Sequence, residues 1–303
     1  MTLVSFAEIE AASGRIAGRV LRTPAVRSDS LSRATGADIV LKLDNLQATG
    51  AFKERGAANR LALLTPAEAA RGVIAMSAGN HAQAVARHAH LLGVAATIVM
   101  PKFTPTTKVT RTASWGARVV LHGESLAEAA AHAHHLAETE GLVFIHPYDD
   151  PGIIAGQGTL ALELLQDFPD LDVLVIPIGG GGLLAGCATA ARAMKPGIEI
   201  IGVEVEAYSA MAQRLAGEPV SVGGQTIAEG MAVRDVGELP FTTLKTLGIE
   251  VLIVPEATVS DCAGMTGGPL TAIVTVAGGE VASPSKAVKA KLSVPVVPSF
   301  TYE

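Results

Sequence analysis

The most constraining feature of this sequence is the alternation of short apolar runs with longer helix-like runs. Apolar runs at residues 39–43, 73–76 and 173–178 each end in a turn that leads into a helix-like run. The same alternation continues through apolar runs at residues 95–100, 117–121, 142–145 and 198–204. Such alternation predicts an α/β protein whose parallel sheet is covered by helices on both faces. In these folds, the loops that follow the strands carry functional groups.

The first of the three loops contains Lys53. It reads DNLQATGAFKERGA over residues 44–57, and Lys53 stands between Phe52 and Glu54. A lysine beside apolar side chains loses its proton more easily than a lysine in water, so Lys53 is a candidate amine nucleophile or Schiff-base former. Taken alone, however, a lysine at a helix start is more often a solvated surface residue. Whether Lys53 is a reactive amine or a solvated surface lysine therefore depends on the other two loops.

The second and third loops have the character of anion sites. Residues 77–83 read SAGNHAQ and open a helix-like run, whose free N–H groups suit a carboxylate or a phosphate. Residues 179–183 read GGGGL, and four glycines let the backbone approach a ligand closely. Each loop alone is also typical of an ordinary turn, and the nucleotide-binding pattern GxxxxGK[ST] is absent.

In this order, the three loops resemble those of the fold-type II family of pyridoxal-phosphate enzymes. Within that family they look most like the threonine/serine dehydratases (ammonia-lyases), which are relatives of serine racemase. The family pattern Gln-x-Thr-Gly-x-Phe-Lys-x-Arg-Gly-Ala is matched at residues 47–57, and Ser-x-Gly-Asn-His-x-Gln is matched at residues 77–83. The tetraglycine loop of the family is matched at residues 179–182. The resemblance extends from about residue 6 to about residue 256.

The resemblance implies the tryptophan synthase β-like fold, with two open, twisted, mostly parallel sheets flanked by helices. It also implies a large cofactor-binding domain from residues 1–47 and 148–303, with a small domain inserted at residues 48–147. Oligomers of the family suggest a homodimer or a homotetramer. Its partner would be a small amino-acid substrate.

The resemblance also assigns the site. Lys53 would carry pyridoxal phosphate and, once freed, take the Cα proton of the substrate. The backbone of the glycine loop would hold the phosphate, Phe52 would pack near the ring, and the Asn80 side chain would bond the ring hydroxyl. The residues implied for the cofactor are Phe52, Lys53, Asn80, Gly179, Gly180, Gly181, Gly182 and Leu183, and those for the substrate carboxylate are Ser77, Ala78, Gly79, Asn80 and His81. For His81, a structural hydrogen-bonding role competes with a catalytic one.

The implied reaction is the dehydration and deamination of L-threonine or L-serine to 2-oxobutanoate or pyruvate and ammonia. Serine racemases place a serine before the Gly-Asn pair, whereas this chain has Ala78, which favours elimination over racemisation. A racemase and a β-hydroxyaspartate dehydratase remain the alternatives. Relatives with a divalent-ion site place a second carboxylate six residues after the acid that matches Glu204, but Ala210 stands there, so no metal is expected.

The last forty-odd residues depart from the family pattern. The Ser-Gly-Gly-Asn loop that contacts the pyridine nitrogen in the family is missing. Pro295 and Pro298 would interrupt a central strand, because proline lacks the N–H that such a strand donates. These departures predict that residues after about Pro284 do not build the ring-nitrogen site. A catalytically impaired domain that only binds a ligand is therefore a further alternative.

Composition excludes several other classes. The net charge is −6, which argues against a nucleic-acid partner. The uncharged run at residues 173–191 contains Pro177 and four glycines, so it does not predict a membrane span, and residues 1–5 do not resemble a signal peptide. Cys187 and Cys262 form no disulfide framework, so a cytoplasmic protein is expected. Three clustered histidines are expected on the solvated surface, at His132, His134 and His135.

Overall fold

The computed structural model of this chain describes residues 2–256 and the strand at residues 273–277. Its helices are α1 (Phe6–Ile16), α2 (Asp29–Thr35), α3 (Lys53–Ala62), α4 (Pro66–Arg71), α5 (Asn80–Leu92), α6 (Thr106–Ala113), α7 (Leu126–Glu140), α8 (Pro151–Asp167), α9 (Gly182–Met194), α10 (Ala210–Ala216) and α11 (Glu238–Leu247). Its strands are β1 (Ala25–Arg27), β2 (Asp38–Lys42), β3 (Val73–Met76), β4 (Ala96–Met100), β5 (Arg118–Leu121), β6 (Val143–Phe144), β7 (Leu171–Pro177), β8 (Glu199–Val205), β9 (Glu250–Val254) and β10 (Ile273–Ala277).

The strands separate into two sheets. The smaller sheet has the order β5-β4-β3-β6, and all its neighbouring strands run parallel. The larger sheet has the order β1-β2-β10-β7-β8-β9. In it, β7, β8 and β9 are parallel, whereas β10 runs antiparallel to both β2 and β7, and β1 runs antiparallel to β2. Five parallel pairings against three antiparallel ones confirm the predicted mostly parallel α/β class.

Local sequence signals explain where several helices begin. Ser5 and Glu8 form a capping box at α1, and Thr65 and Glu68 form another at α4, so each pair satisfies two backbone donors that the helix leaves open. Asp150 caps α8, which has proline at its first position. Helix α1 ends at Ile16. Within the described residues, no helix has the length and apolar character needed to cross a membrane.

Helix α8 is the buried element against which the functional helices pack. A Cβ atom at Gly156 would lie 2.5 Å from the Arg55 carbonyl oxygen on α3, and one at Gly186 on α9 would lie 2.2 Å from the Ile154 carbonyl oxygen on α8. The backbones of α3 and α9 therefore touch the backbone of α8, which only glycine allows. Because α3 begins at Lys53 and α9 begins in the glycine loop, α8 sets the position of both.

A buried network of charges also fixes the start of α3. The Arg55 guanidinium donates Nε to Asp44 at 2.7 Å and Nη1 to Glu163 at 2.7 Å. The Lys42 amine donates to Glu163 at 2.7 Å and to the Thr23 carbonyl oxygen at 2.6 Å. Two cations thus meet two carboxylates away from water, where an unpaired charge would be costly. The network joins β2 and its following turn to α3 and α8.

Candidate active site

Lys53 occupies the first position of α3, with its side chain only partly exposed. Its Nζ atom donates a hydrogen bond to the Pro147 carbonyl oxygen at 2.7 Å and lies 5.4 Å from the centre of the Phe52 ring. Burial lowers the pKa of the Lys53 amine to about 8. An amine with this pKa is half neutral near pH 8, so part of it is available at neutral pH as a nucleophile or as a base.

The SAGNHAQ loop leads directly from β3 into α5. Its Ser77 hydroxyl accepts the Gly79 N–H at 3.1 Å, and α5 begins at the exposed Asn80. The His81 Nε2 atom lies 3.0 Å from the Ile145 carbonyl oxygen. Because a carbonyl only accepts, Nε2 is the donor, which leaves Nδ1 unprotonated; this buried atom has no hydrogen-bond partner among the described residues. Burial, together with the charge of Lys53, lowers the pKa of His81 to about 3, so the ring is neutral.

The glycine loop packs tightly against Tyr148. A Cβ atom at Gly180 would lie 2.2 Å from the ring of Tyr148, and one at Gly182 would lie 2.7 Å from the Tyr148 carbonyl oxygen. Gly181 has a φ of +91°, in the left-handed region that favours glycine. Since α9 begins at Gly182, the N–H groups of its first turn have no carbonyl partner within the helix and can meet an anion.

The segment at residues 145–150 brings these three loops together, and sequence reasoning missed it. The Ile145 carbonyl oxygen contacts His81, the Pro147 carbonyl oxygen contacts Lys53, and the Tyr148 ring contacts the glycine loop. The loops are therefore neighbours, each touching the same four-residue stretch. The signal was present as an aromatic and acidic cluster, HPYDD, directly before the capped helix α8.

A second segment, at residues 228–237, covers the glycine loop. The Gly237 N–H donates to the Gly180 carbonyl oxygen at 3.1 Å, and the Tyr148 hydroxyl donates to the Asp235 carbonyl oxygen at 2.6 Å. Burial raises the pKa of Tyr148 to about 12, so this hydroxyl stays protonated and remains a donor. Lys108 on α6 forms an ion pair with Glu229 at 2.6 Å, which ties this segment to the unit of the smaller sheet.

Glu204 and His132, which the sequence also singled out, make contacts with residues outside the three loops. The Glu204 carboxylate accepts the N–H groups of Met211 and Ala212 at 2.9 Å each, and burial raises its pKa to about 7. His132 stacks on His122 with ring centres 3.8 Å apart. No group of three potential metal-binding side chains occurs among the residues that the structure describes. Leu183 is buried in the core below the glycine loop.

A cavity of about 510 Å³ lies beside the segment that covers the glycine loop. None of the predicted site residues lines it. Its walls are formed by Tyr208, Gly224, Gln225, Thr226, Ile227, Glu229, Ala232 and Glu256. Glu256 is followed in the chain by residues 257–272, which lie outside the described part. The predictions for the altered C-terminal segment, residues 283–303, also fall outside it.

The arrangement fits a ligand that carries both an aldehyde and a phosphate. An amine with a lowered pKa suits the aldehyde, and the open N–H groups at the start of the thirteen-residue helix α9 suit the phosphate. The two contact consecutive residues, Pro147 and Tyr148. Pyridoxal phosphate has both groups, so the residues present fit the cofactor that the sequence predicts.

Comparisons with known proteins show which protein family this chain is similar to. A protein family described as "pyridoxal-phosphate dependent enzyme" matches residues 16–277. An L-threonine ammonia-lyase of Thermotoga maritima is 42% identical over 267 residues, which cover 86% of this chain and 65% of that protein. The chain thus spans just under two thirds of the length of this relative.

Solved structures with the same fold include a racemase and a deaminase. Maize serine racemase superimposes with a TM-score of 0.84 at 34% identity, over 89% of this chain and 82% of that chain. Threonine deaminase isoform 2 from Solanum lycopersicum superimposes with a TM-score of 0.82 at 34% identity, over 90% of this chain and 77% of that chain.

Proposed function

This chain belongs to the family of pyridoxal-phosphate dependent enzymes, and we propose that it deaminates L-threonine, L-serine or both to a 2-oxo acid and ammonia. The observation that carries the proposal is the convergence of three loops on residues 145–148. The Thermotoga maritima relative, named as an L-threonine ammonia-lyase, adds support. A reaction of this kind needs an amine, an anion site for the cofactor and a second anion site for the substrate, and these three loops supply them.

Each site residue receives a role in this proposal. Lys53 would hold the cofactor, Phe52 would pack near its ring, and the Asn80 side chain would hydrogen-bond the ring hydroxyl. The backbone of Gly179, Gly180, Gly181, Gly182 and Leu183 holds the phosphate at the start of α9. When bound, pyridoxal phosphate withdraws electrons from the α-carbon of an amino acid, which makes its proton easier to remove.

Lys53 is the residue to which we assign the Cα proton. Burial holds its pKa at about 8, close to the pH at which a general base works best. His81 cannot compete for this proton, because its pKa is lowered to about 3. Its remaining contact with the Ile145 carbonyl oxygen orients the loop, which supports a structural role for His81.

The start of α5 is the proposed site for the substrate carboxylate. The backbone of Ser77, Ala78, Gly79, Asn80 and His81 precedes and opens this thirteen-residue helix, whose first N–H groups attract an anion. Ala78 has no side-chain oxygen that could return a proton to the opposite face of the α-carbon. We therefore place elimination ahead of racemisation, with a serine racemase as the second candidate, because maize serine racemase shares the fold.

We also propose a domain division, a cellular location and an oligomeric state for this enzyme. The smaller sheet uses only strands between residues 73 and 144, which supports a small domain at residues 48–147 inserted into a large domain of residues 1–47 and 148–303. A cytoplasmic homodimer or homotetramer is the proposed form. Sedimentation of the purified protein tests the oligomeric state.

The test of the proposed function begins with cofactor binding. Adding pyridoxal phosphate to the purified protein should produce a visible absorption band, and borohydride should fix the cofactor on the peptide that contains Lys53. Lys53→Ala should lose both the band and the turnover, whereas Lys102→Ala, at an exposed lysine, should keep them. A folded Lys53→Ala protein that keeps the band would exclude Lys53 as the cofactor lysine.

The reaction itself is tested by product analysis. With L-threonine or L-serine, we expect a 2-oxo acid and ammonia with little D-amino acid. Chiral chromatography that finds D-serine as the main product would replace the dehydratase with a racemase. Turnover of β-hydroxyaspartate alone would identify a β-hydroxyaspartate dehydratase, and cofactor binding without any turnover would identify an impaired domain.

A further inference from the structure

The His146 ring makes two hydrogen bonds within its own turn. Its Nδ1 atom accepts the N–H of Tyr148 at 3.3 Å and the N–H of Asp149 at 2.8 Å. An atom that accepts hydrogen bonds carries no proton, so the neutral ring has its proton on Nε2. Burial lowers the pKa of His146, in spite of the opposing Asp149 carboxylate, which keeps the ring in this neutral form.

The two residues inside this turn each contact a different part of the candidate site. The Pro147 carbonyl oxygen accepts the hydrogen bond from Lys53 Nζ at 2.7 Å. The Tyr148 ring lies against the glycine loop, where a Cβ atom at Gly180 would be 2.2 Å away. Because Pro147 and Tyr148 share one peptide bond, a rotation of this part of the backbone moves both contacts together.

The ends of the turn are anchored by other groups. Before it, the Ile145 carbonyl oxygen contacts His81 Nε2 at 3.0 Å. After it, the Asp149 carboxylate accepts the N–H groups of Glu238 and Leu239 at the start of α11, at 3.1 and 2.9 Å. Asp150 caps α8. These anchors hold the ends, while the bonds to His146 Nδ1 set the path of the backbone between them.

We propose that His146 is a positioning residue, which shapes the turn that holds both the Lys53 amine and the glycine loop in place for the cofactor. The inference rests on the proposed function only in taking Lys53 as the cofactor lysine. It adds a residue that lies in none of the three loops matched by sequence. Its part is to accept two backbone N–H groups, a task that does not require a histidine.

Because the role needs a hydrogen-bond acceptor rather than a histidine, two substitutions at His146 can test it. Asparagine at a turn accepts backbone N–H groups two and three residues ahead through its side-chain oxygen, so His146→Asn should keep the turn. Leucine has a comparable size but accepts nothing, so His146→Leu should lose it. The control is His135→Leu, which makes the same exchange at an exposed histidine on α7.

Cofactor affinity is the measurement, made by absorbance titration of the apo proteins with pyridoxal phosphate. Losing two hydrogen bonds should weaken binding about tenfold to a hundredfold in His146→Leu. His146→Asn and His135→Leu should stay within about threefold of the natural protein, because one keeps the acceptor and the other lies on the surface. Equal thermal unfolding midpoints would show that the difference does not arise from global unfolding.

Several outcomes would contradict the role of His146. Natural affinity in a folded His146→Leu would do so, and so would equal weakening in the asparagine and leucine variants. If the leucine variant does not fold, His146→Gln replaces it, because its longer side chain does not place an acceptor at the same point; affinity as high as that of His146→Asn would then reject the role. Protein that binds the cofactor at Lys53 but forms no 2-oxo acid would reject the proposed function and leave this test valid.

Discussion

At the scale of single residues, the behaviour of Lys53 follows from where its amine lies. In water a lysine amine has a pKa near 10.5, and burial lowers that of Lys53 to about 8. The hydrogen bond to the Pro147 carbonyl oxygen orients the amine without adding a charge. Lys53 is therefore a more available nucleophile at neutral pH than any solvated lysine of the chain.

This pKa predicts the pH dependence of cofactor capture. Only the neutral amine attacks an aldehyde, and the neutral fraction grows as pH rises through the pKa. The rate at which the apo protein captures pyridoxal phosphate should therefore rise with a midpoint near pH 8, compared with a midpoint near pH 10.5 for a free lysine side chain. Stopped-flow absorbance measures the rate, with Nα-acetyl-lysine as the control. A protein midpoint equal to that of the control would mean that Lys53 is not desolvated.

The sequence singled out Lys53 as the candidate cofactor lysine, but not the residues that contact the turn around it. The motif over residues 47–57 pointed to this lysine, and helix α3 begins there as expected. Tyr148 and His146 escaped notice because their contacts are with residues far along the chain or with their own backbone. Charged residues such as Lys42 and Arg55 are usually exposed, so no local pattern predicts that both are buried.

At the scale of elements, the glycine loop is shaped by its neighbour Tyr148. Gly180 does not need the left-handed region, so the contact with the Tyr148 ring is what excludes a larger side chain. The sequence suggested that the glycines make room for a phosphate. The structure shows that Gly180 and Gly182 also make room for the HPYDD segment.

A double-mutant cycle tests this packing. Gly180→Ala should lower the free energy of unfolding by about 1–3 kcal/mol, because its new methyl group overlaps the Tyr148 ring. In a Tyr148→Ala background the same change should cost little, since the ring is gone. The control is Gly197→Ala, at a site with nothing within 4 Å of the added atom. Urea unfolding provides the values, and an equal cost of Gly180→Ala in both backgrounds would show that something other than Tyr148 excludes the methyl group.

The buried charge network joins β2, α3 and α8. Its contribution to stability can be measured by making the same lysine-to-methionine substitution in this network and in an exposed ion pair. The Lys42–Glu163 pair has side chains 0% and 9% exposed, whereas those of the Lys102–Glu124 pair are 59% and 68% exposed. Lys42→Met leaves two buried carboxylates with only Arg55. We expect it to lower the free energy of unfolding by about 3–5 kcal/mol.

The matched substitution Lys102→Met should cost less than about 1 kcal/mol, because water screens that pair. Chemical denaturation of both variants at one pH measures the contrast. If the two substitutions cost the same, the network does not stabilise the junction of β2, α3 and α8. A large cost for Lys42→Met alone would support its part in holding the helix that begins at Lys53.

At the scale of the whole molecule, β10 joins two parts of the larger sheet. It lies between β2 and β7 and pairs with both, with Val274 opposite Leu41 on one side and Val175 on the other. The sequence predicted the parallel strands from their alternation with helices. It could not place β10. This strand is the last of the described strands along the chain but lies in the middle of the larger sheet, so its place depends on pairings with residues far earlier in the chain.

The position of β10 predicts different outcomes for two truncations. Removing residues 257–303 also removes β10, which leaves β2 and β7 as open edges and divides the larger sheet into β1-β2 and β7-β8-β9. Open edges expose unpaired N–H and carbonyl groups. This shorter protein should unfold at a much lower temperature or aggregate. Removing only residues 283–303 keeps the strand, so its unfolding midpoint should stay within about 4 °C of that of the full chain.

The truncated protein that ends at residue 282 also tests the altered C-terminal segment. Since Pro295 and Pro298 lack the N–H groups of a central strand, we predict that residues 283–303 do not build a partner for the pyridine nitrogen. Pyridoxal-phosphate affinity should then be low in the full chain and unchanged in the protein that ends at residue 282. Circular dichroism first establishes that both proteins are folded, and absorbance titration compares their affinities. A folded protein ending at residue 282 that has lost its cofactor affinity would show that the last residues complete the site.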